Sequence, residues 1–197
     1  MRRSRECKAR RLCRTHVGDS CESWSHRRIG YAGANLFFVS ITFSFIAWGV
    51  VANSLILPKL RRRSRDEALR PLLMFHSFRF VGLSFLVPGV VSRDLPSAFA
   101  ESAAYGDIVA AALALLTLAL LPGRLGIVVA WVFNLWGSAD ILHANYDGIR
   151  LGVQAGQLGA AYYLPTFIVP LFLITHGLMF WLLLRNENAV PAAQRLA

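Results

Sequence analysis

Residues 162–184 read YYLPTFIVPLFLITHGLMFWLLL, a run without a single Asp, Glu, Lys or Arg that stops at Arg185. A helix rises about 1.5 Å per residue and the hydrocarbon core of a bilayer is about 30 Å thick, so about 20 such residues cross it. This run is long enough. Working outward from it, four more apolar runs lie upstream: Asn35–Ile56, Leu72–Val91, Asp107–Leu121 and Leu125–Leu142. The third is short and borrows Ala104 and Tyr105 to reach across. Overall, 55% of the residues are hydrophobic. The expected fold is all-α, a polytopic integral membrane bundle of about five transmembrane helices. Residues 30–187 form that domain, 1–29 a basic, unfolded leader without apolar periodicity, and 188–197 a short tail.

The charge pattern supports the same class. Of 21 Lys and Arg, nine lie in residues 1–28 and six in 59–70, and the remaining six are scattered. They flank apolar runs instead of lining a folded face, which points to lipid headgroups and not to nucleic acid. Lys59–Arg70 is the strongest short basic loop and is expected in the cytoplasm. Alternation then places Arg124 and Arg185 on that side and leaves Arg93 and Arg150 opposite. The protein is therefore expected as a multi-pass protein of the cell membrane with a cytoplasmic C-terminus. The leader runs against this rule, since it falls on the outer side. Pro71 suits the first turn of the second span, where no amide donor is needed. Cys7, Cys13 and Cys21 all lie in the leader and form no C-x2-C pair, so they do not read as a zinc site.

Polar groups inside the spans are costly and therefore informative. Counted from the basic side, Arg79 lies about 11 Å into its span, His176 about 12 Å and Asn134 about 14 Å. His76 shares a helix face with Arg79. A second group lies toward the opposite surface: Asp107 at the mouth of the third span, and Asp140 with His143 near the end of the fourth. On ideal helices Asp140 lies about 11–12 Å beyond Arg79, too far for a direct pair, so water or an anion is expected between them, with Asn134 lining the gap. Gly148, Gly152, Gly156 and Ala160 recur every four residues. They form either a smooth helix stripe that packs on another helix or a second copy, or a Gly-rich loop at the interface.

Three functional readings follow. The first is small-solute or proton-linked binding and translocation along a polar path between spans two, four and five, using His76, Arg79, Asp107, Asn134, Asp140, His143 and His176. The second is a membrane-embedded haem- or metal-binding subunit with His76 and His176 as ligands. The third is a membrane enzyme using Asp140 and His143; against all three stands a purely structural or accessory membrane protein. No nucleophile elbow and no H-E-x-x-H motif is present, so no catalytic residue is assigned.

The stretch Phe78–Val91 (FRFVGLSFLVPGVV), with Asp94-Leu95-Pro96 and Tyr105-Gly106-Asp107, resembles small multi-span bacterial membrane proteins of unassigned function. The resemblance spans about the last two-thirds of the chain. It implies a bacterial inner-membrane location and no particular activity.

Overall fold

The computed structural model describes the backbone of residues 18–185 and the side chains of residues 35–185. Among them there is no strand, only an isolated bridge between Pro88 and Val91. The helices are α1 (Gly18–Val51), a π-helical turn (Ala52–Ile56) and short α2 (Leu57–Arg61), then α3 (Arg65–His76), which runs on as a 3-10 helix (Ser77–Leu86). Next come α4 (Ser97–Leu120) and α5 (Arg124–Arg150). A 3-10 segment (Ala155–Tyr162) and a π-helical turn (Leu164–Ile168) lead into α6 (Val169–Leu184).

Among the described residues, four stretches are long and apolar enough to cross a membrane: Asn35–Arg61, Ser97–Leu120, Arg124–Arg150 and Leu164–Leu184. The second expected span is built differently. Its α-helix starts at Arg65, not near Pro71, because Ser64 and Glu67 form a reciprocal capping box. Pro71 is tolerated inside the helix. After His76 the chain tightens into a 3-10 helix, and the two parts together rise about 38 Å. Ten residues is long for 3-10 geometry. The reason lies in the burial pattern: His76, Arg79, Gly82 and Phe85 are buried at a spacing of three, so a three-residue turn keeps them in one row. Arg70 Nη2 donates to the Leu121 carbonyl at 3.0 Å, so the start of α3 and the end of α4 share one face of the membrane. The chain therefore crosses between Arg65 and Ser97 as well, making five crossings.

Arg185 Nη2 donates to the Arg63 carbonyl at 2.7 Å, which brings the end of α6 to the same basic end. Helix α1 begins at Gly18, so residues 18–29 are helical where an unfolded leader was expected. No proline interrupts them, and extending an existing helix adds a hydrogen bond for each residue fixed. Residues 1–17 of the leader and the tail 188–197 lie outside the described residues.

The interior has two apolar layers. One, at the basic end, contains Leu69, Leu73, Ala114, Phe133, Met179 and Leu182. The other, at the opposite end, contains Phe85, Leu95, Phe99, Ala103, Leu158 and Leu164. Helix α4 meets its neighbours through small residues, among them Ala103, Ala104, Ala110, Ala111 and Ala114, which let backbones approach closely.

The Gly148–Ala160 region is not one helix face. Helix α5 ends in a Schellman motif: Gly152 has φ +65°, Val153 N–H donates to the Gly148 carbonyl at 2.9 Å and Gly152 N–H to the Ile149 carbonyl at 3.2 Å. The expected stripe is broken there, and the Gly-rich stretch forms a loop and the 3-10 segment. That segment lies on the connection before α4: Ala160 N–H donates to the Val90 carbonyl at 2.8 Å and Ser92 N–H to the Gln157 carbonyl at 2.9 Å.

Candidate functional site

Between the two apolar layers lies a polar one centred on Arg79, which is 1% exposed. Its Nε donates to Asp107 Oδ1 at 2.7 Å and its Nη2 to Asp140 Oδ2 at 2.6 Å. Its Nη1 donates to the Gly137 carbonyl at 3.1 Å and faces His176 Nε2 at 3.4 Å. Phe172 stacks beside the guanidinium, 5.3 Å from its carbon to the ring centroid.

The direct Arg79–Asp140 pair corrects the expectation of a gap. Counted from Arg65, with the last three residues at the 3-10 rise, Arg79 lies about 22 Å in. Counted from Arg124, Asp140 lies about 24 Å in, and Asp107 lies about 20 Å from Leu120. The earlier depths differed because the second span was started at Leu72 and given α-helical rise throughout. Apart from His143, the two expected polar groups are one layer.

The histidines sit on the basic side of Arg79. Asn134 Nδ2 donates to the His176 carbonyl at 3.3 Å, which turns Asn134 Oδ1 toward the ring of His176, 2.7 Å from Nδ1. His176 Nδ1 therefore carries the proton, and Nε2 presents its lone pair to Arg79. Thr175 donates its hydroxyl to carbonyls of its own helix, so its oxygen accepts from His76 Nε2 at 2.9 Å. His76 Nδ1 is then left without a partner among the described residues. Asn134 holds His176 in place and lines no gap.

The haem arrangement does not fit these residues. The rings of His76 and His176 are 4.3 Å apart and inclined at 45°. Opposed imidazoles on one iron need centroids about 6 Å apart with a macrocycle between them. Phe133 and Phe172 fill the space around both rings. Among the described residues no three His, Cys, Asp or Glu gather into a metal-binding group.

His143 does not join the layer. It is 61% exposed, 3.4 Å from Asp147 Oδ2 and 3.5 Å from Ser102 Oγ. Three residues on from Asp140 is a turn nearer the membrane surface, and there Asp147 is held by Arg150 at 3.0 Å.

Three glycines, which the sequence reading passed over, make the close packing possible. A Cβ on Gly82 would run into the Asp107 carboxylate, and one on Gly106 into the Asp140 carboxylate. One on Gly137 would come within 2.6 Å of the His176 ring and 2.8 Å of Arg79 Nη1. A signal was present: Arg79-x-x-Gly82, Gly106-Asp107 and Gly137-x-x-Asp140 each set a glycine beside a charge inside a span.

Above this layer, toward the end away from the basic loops, a cavity of about 280 Å³ has Arg79, Asp107 and Asp140 at its floor. Its walls are mostly apolar, with Asn145 and Gln154 among them, and come from α1 (Phe37, Phe38, Ile41), the 3-10 helix and α4 (Phe85, Phe99, Ala103), α5, the loop after it, and the start of α6. The Asp107 and Asp140 side chains are 20% and 13% exposed. Among the described residues their second oxygens, Asp107 Oδ2 and Asp140 Oδ1, accept no hydrogen bond. On the basic side the layer of Phe133, Leu73 and Met179 closes the bundle.

Residues 36–184 match a domain of unknown function, DUF8737, and the chain belongs to that family. No curated protein and no solved structure matches it at a significant level.

Proposed function

We propose that this member of the family is a binding protein of the membrane interior. It takes up a small solute with an apolar body and a cationic or hydrogen-bond-donating head. The observation that supports this is the charge count at the cavity floor. Two carboxylates meet one guanidinium, and the guanidinium is turned inward and engaged by Asp107, Asp140, Gly137 and His176. What remains for a ligand is the partly exposed edge of two carboxylates, whose second oxygens accept no hydrogen bond among the described residues and lie against Gly82 and Gly106, and a net negative charge when both groups are ionised. An apolar cavity with a few convergent polar groups is the usual form of a small-molecule site.

The reading keeps the binding part of the sequence expectation and leaves out a proton relay across the bundle. Arginine does not give up its proton, so Arg79 interrupts any relay from the carboxylates to His176. The basic end is taken as cytoplasmic under the positive-inside rule, in a bacterial inner membrane, so the cavity belongs to the outer half.

The test is calorimetric titration of the purified protein with three cage compounds of one shape: 1-adamantylammonium, 1-adamantanol and 1-adamantanecarboxylate. The ammonium compound is expected to bind best. Asp107→Asn or Asp140→Asn should weaken it about tenfold, or about 1.4 kcal/mol. Equal or tighter binding of the carboxylate, or no binding of any of the three, overturns the reading and leaves a structural role for the chain.

A further inference from the structure

We propose that the solute is drawn from the bilayer and reaches the cavity sideways, between α1 and α5. This rests on the cavity being a binding site and adds the source of its ligand: a lipid-soluble compound, not one arriving from water.

At its membrane-surface end the cavity is lined by Ala155 and Leu158. The segment Ala155–Tyr162 lies across it, pinned by Ala160 N–H to the Val90 carbonyl, Ser92 N–H to the Gln157 carbonyl and Gln157 Nε2 to the Asp94 carbonyl at 2.9 Å. At Gly159, φ is +52° and a Cβ would run into the Val90 carbonyl, so the two segments touch along their backbones. The basic-side end is closed by the apolar layer. The remaining boundary is the side.

Helix α1 supplies that side, and it is the least embedded span. Only 6% of its apolar stretch is buried, against 33–39% in the other three. It packs mainly on α6 and the segment before it. Its polar attachments are there too: Ser40 Oγ to Tyr162 OH at 2.9 Å, and Trp48 Nε1 to the Phe167 carbonyl at 3.0 Å. Across the cavity, α5 presents Ala144, Gly148 and Ile149. On these two helices Phe38, 65% exposed, and Ile149, 82% exposed, line the cavity. An opening with large apolar side chains on both rims suits hydrocarbon and not water. A wall anchored along one edge can swing at the other without breaking a buried hydrogen bond.

The experiment uses the full chain in lipid nanodiscs and tritiated 1-adamantylammonium, followed by scintillation proximity. Phe38→Ala and Ile149→Ala cut back the rim and are expected to raise association and dissociation rates together, by about threefold or more, because a lower barrier acts in both directions. Gln157→Ala unpins the end segment and should leave both rates as they are. If Gln157→Ala speeds exchange and the rim variants do not, the way in is from water and the proposal is overturned. Equilibrium binding in the same samples separates the two readings: saturable binding with rates insensitive to the rim sinks only the lateral route.

A ligand-free measurement stands beside it. With Cys7, Cys13 and Cys21 changed to Ser, an Ala144→Cys chain in vesicles should react with lipid-soluble N-phenylmaleimide. An added Ile41→Trp change, which fills the cleft, should slow that reaction. Unchanged labelling after the cleft is filled counts against lateral access.

Discussion

Replacing Arg79 by Leu removes the cation and leaves Asp107 and Asp140 facing each other in the bundle. The lost contacts are two short charge-assisted hydrogen bonds, at 2.6 and 2.7 Å, and one to a carbonyl at 3.1 Å. A hydrogen bond to a charged group contributes about 1.5–3 kcal/mol and a neutral one about 0.5–1.5. Breaking a buried pair by removing one partner costs about 3–5 kcal/mol, because a charge is left uncompensated. Both carboxylates are partly open to the cavity, so hydration offsets some of this, and a loss of about 3 kcal/mol is expected. The assay is reversible unfolding in mixed micelles on raising the denaturing detergent. The diagnostic step is the triple variant. With Asp107→Asn and Asp140→Asn already in place, Arg79→Leu should cost less than half as much, since no uncompensated charge remains. If the single change costs under about 1 kcal/mol, or costs the same in both backgrounds, Arg79 is not the hub of the layer.

Gly106→Ala pushes a Cβ into the Asp140 carboxylate and should destabilise by about 1–3 kcal/mol, whereas Gly156→Ala, with nothing within 4 Å, should stay within about 0.5 kcal/mol in the same unfolding assay. His176→Phe strands Asn134 and removes an acceptor from Arg79, so it should cost about 2 kcal/mol and exceed His76→Phe, whose ring has one partnered nitrogen. Reporter fusions at Ala197 and within the loop 93–96 should show the tail in the cytoplasm and the loop outside; an active periplasmic reporter at Ala197 would reverse the orientation.

The class of this protein was legible in its letters because crossing a bilayer is a property of single segments. Length and the absence of charge mark out Leu164–Leu184, and the long Ala- and Leu-rich run after Asp107, without reference to any neighbour. Helix ends were less legible: the helices begin at Arg65 and Ser97 and one ends at Arg150, where the apolar runs suggest Leu72, Asp107 and Leu142, because polar residues extend a helix beyond its apolar core. Six of the polar residues that stand out in the sequence, Arg79, Asp107, Asp140, Asn134, His76 and His176, fall in one layer, since polar groups in hydrocarbon are rare.

Which of them touch could not be read that way. The sequence by itself determined a bundle of membrane-crossing helices with a basic end and a few costly polar side chains within it. Only the tertiary structure decided that Arg79 pairs with both carboxylates, that His143 stands apart, that His76 and His176 are too close for a haem, and that a cavity opens on the acidic floor. The physical reason is depth. Contacts across helices depend on where each helix starts and how fast it rises, and a 3-10 stretch adds about 0.5 Å per residue over an α-helix. From Ser77 to Leu86 that choice was set by the neighbours, which bury every third residue and leave room for a tight turn only where Gly82, Gly106 and Gly137 let the backbones close in.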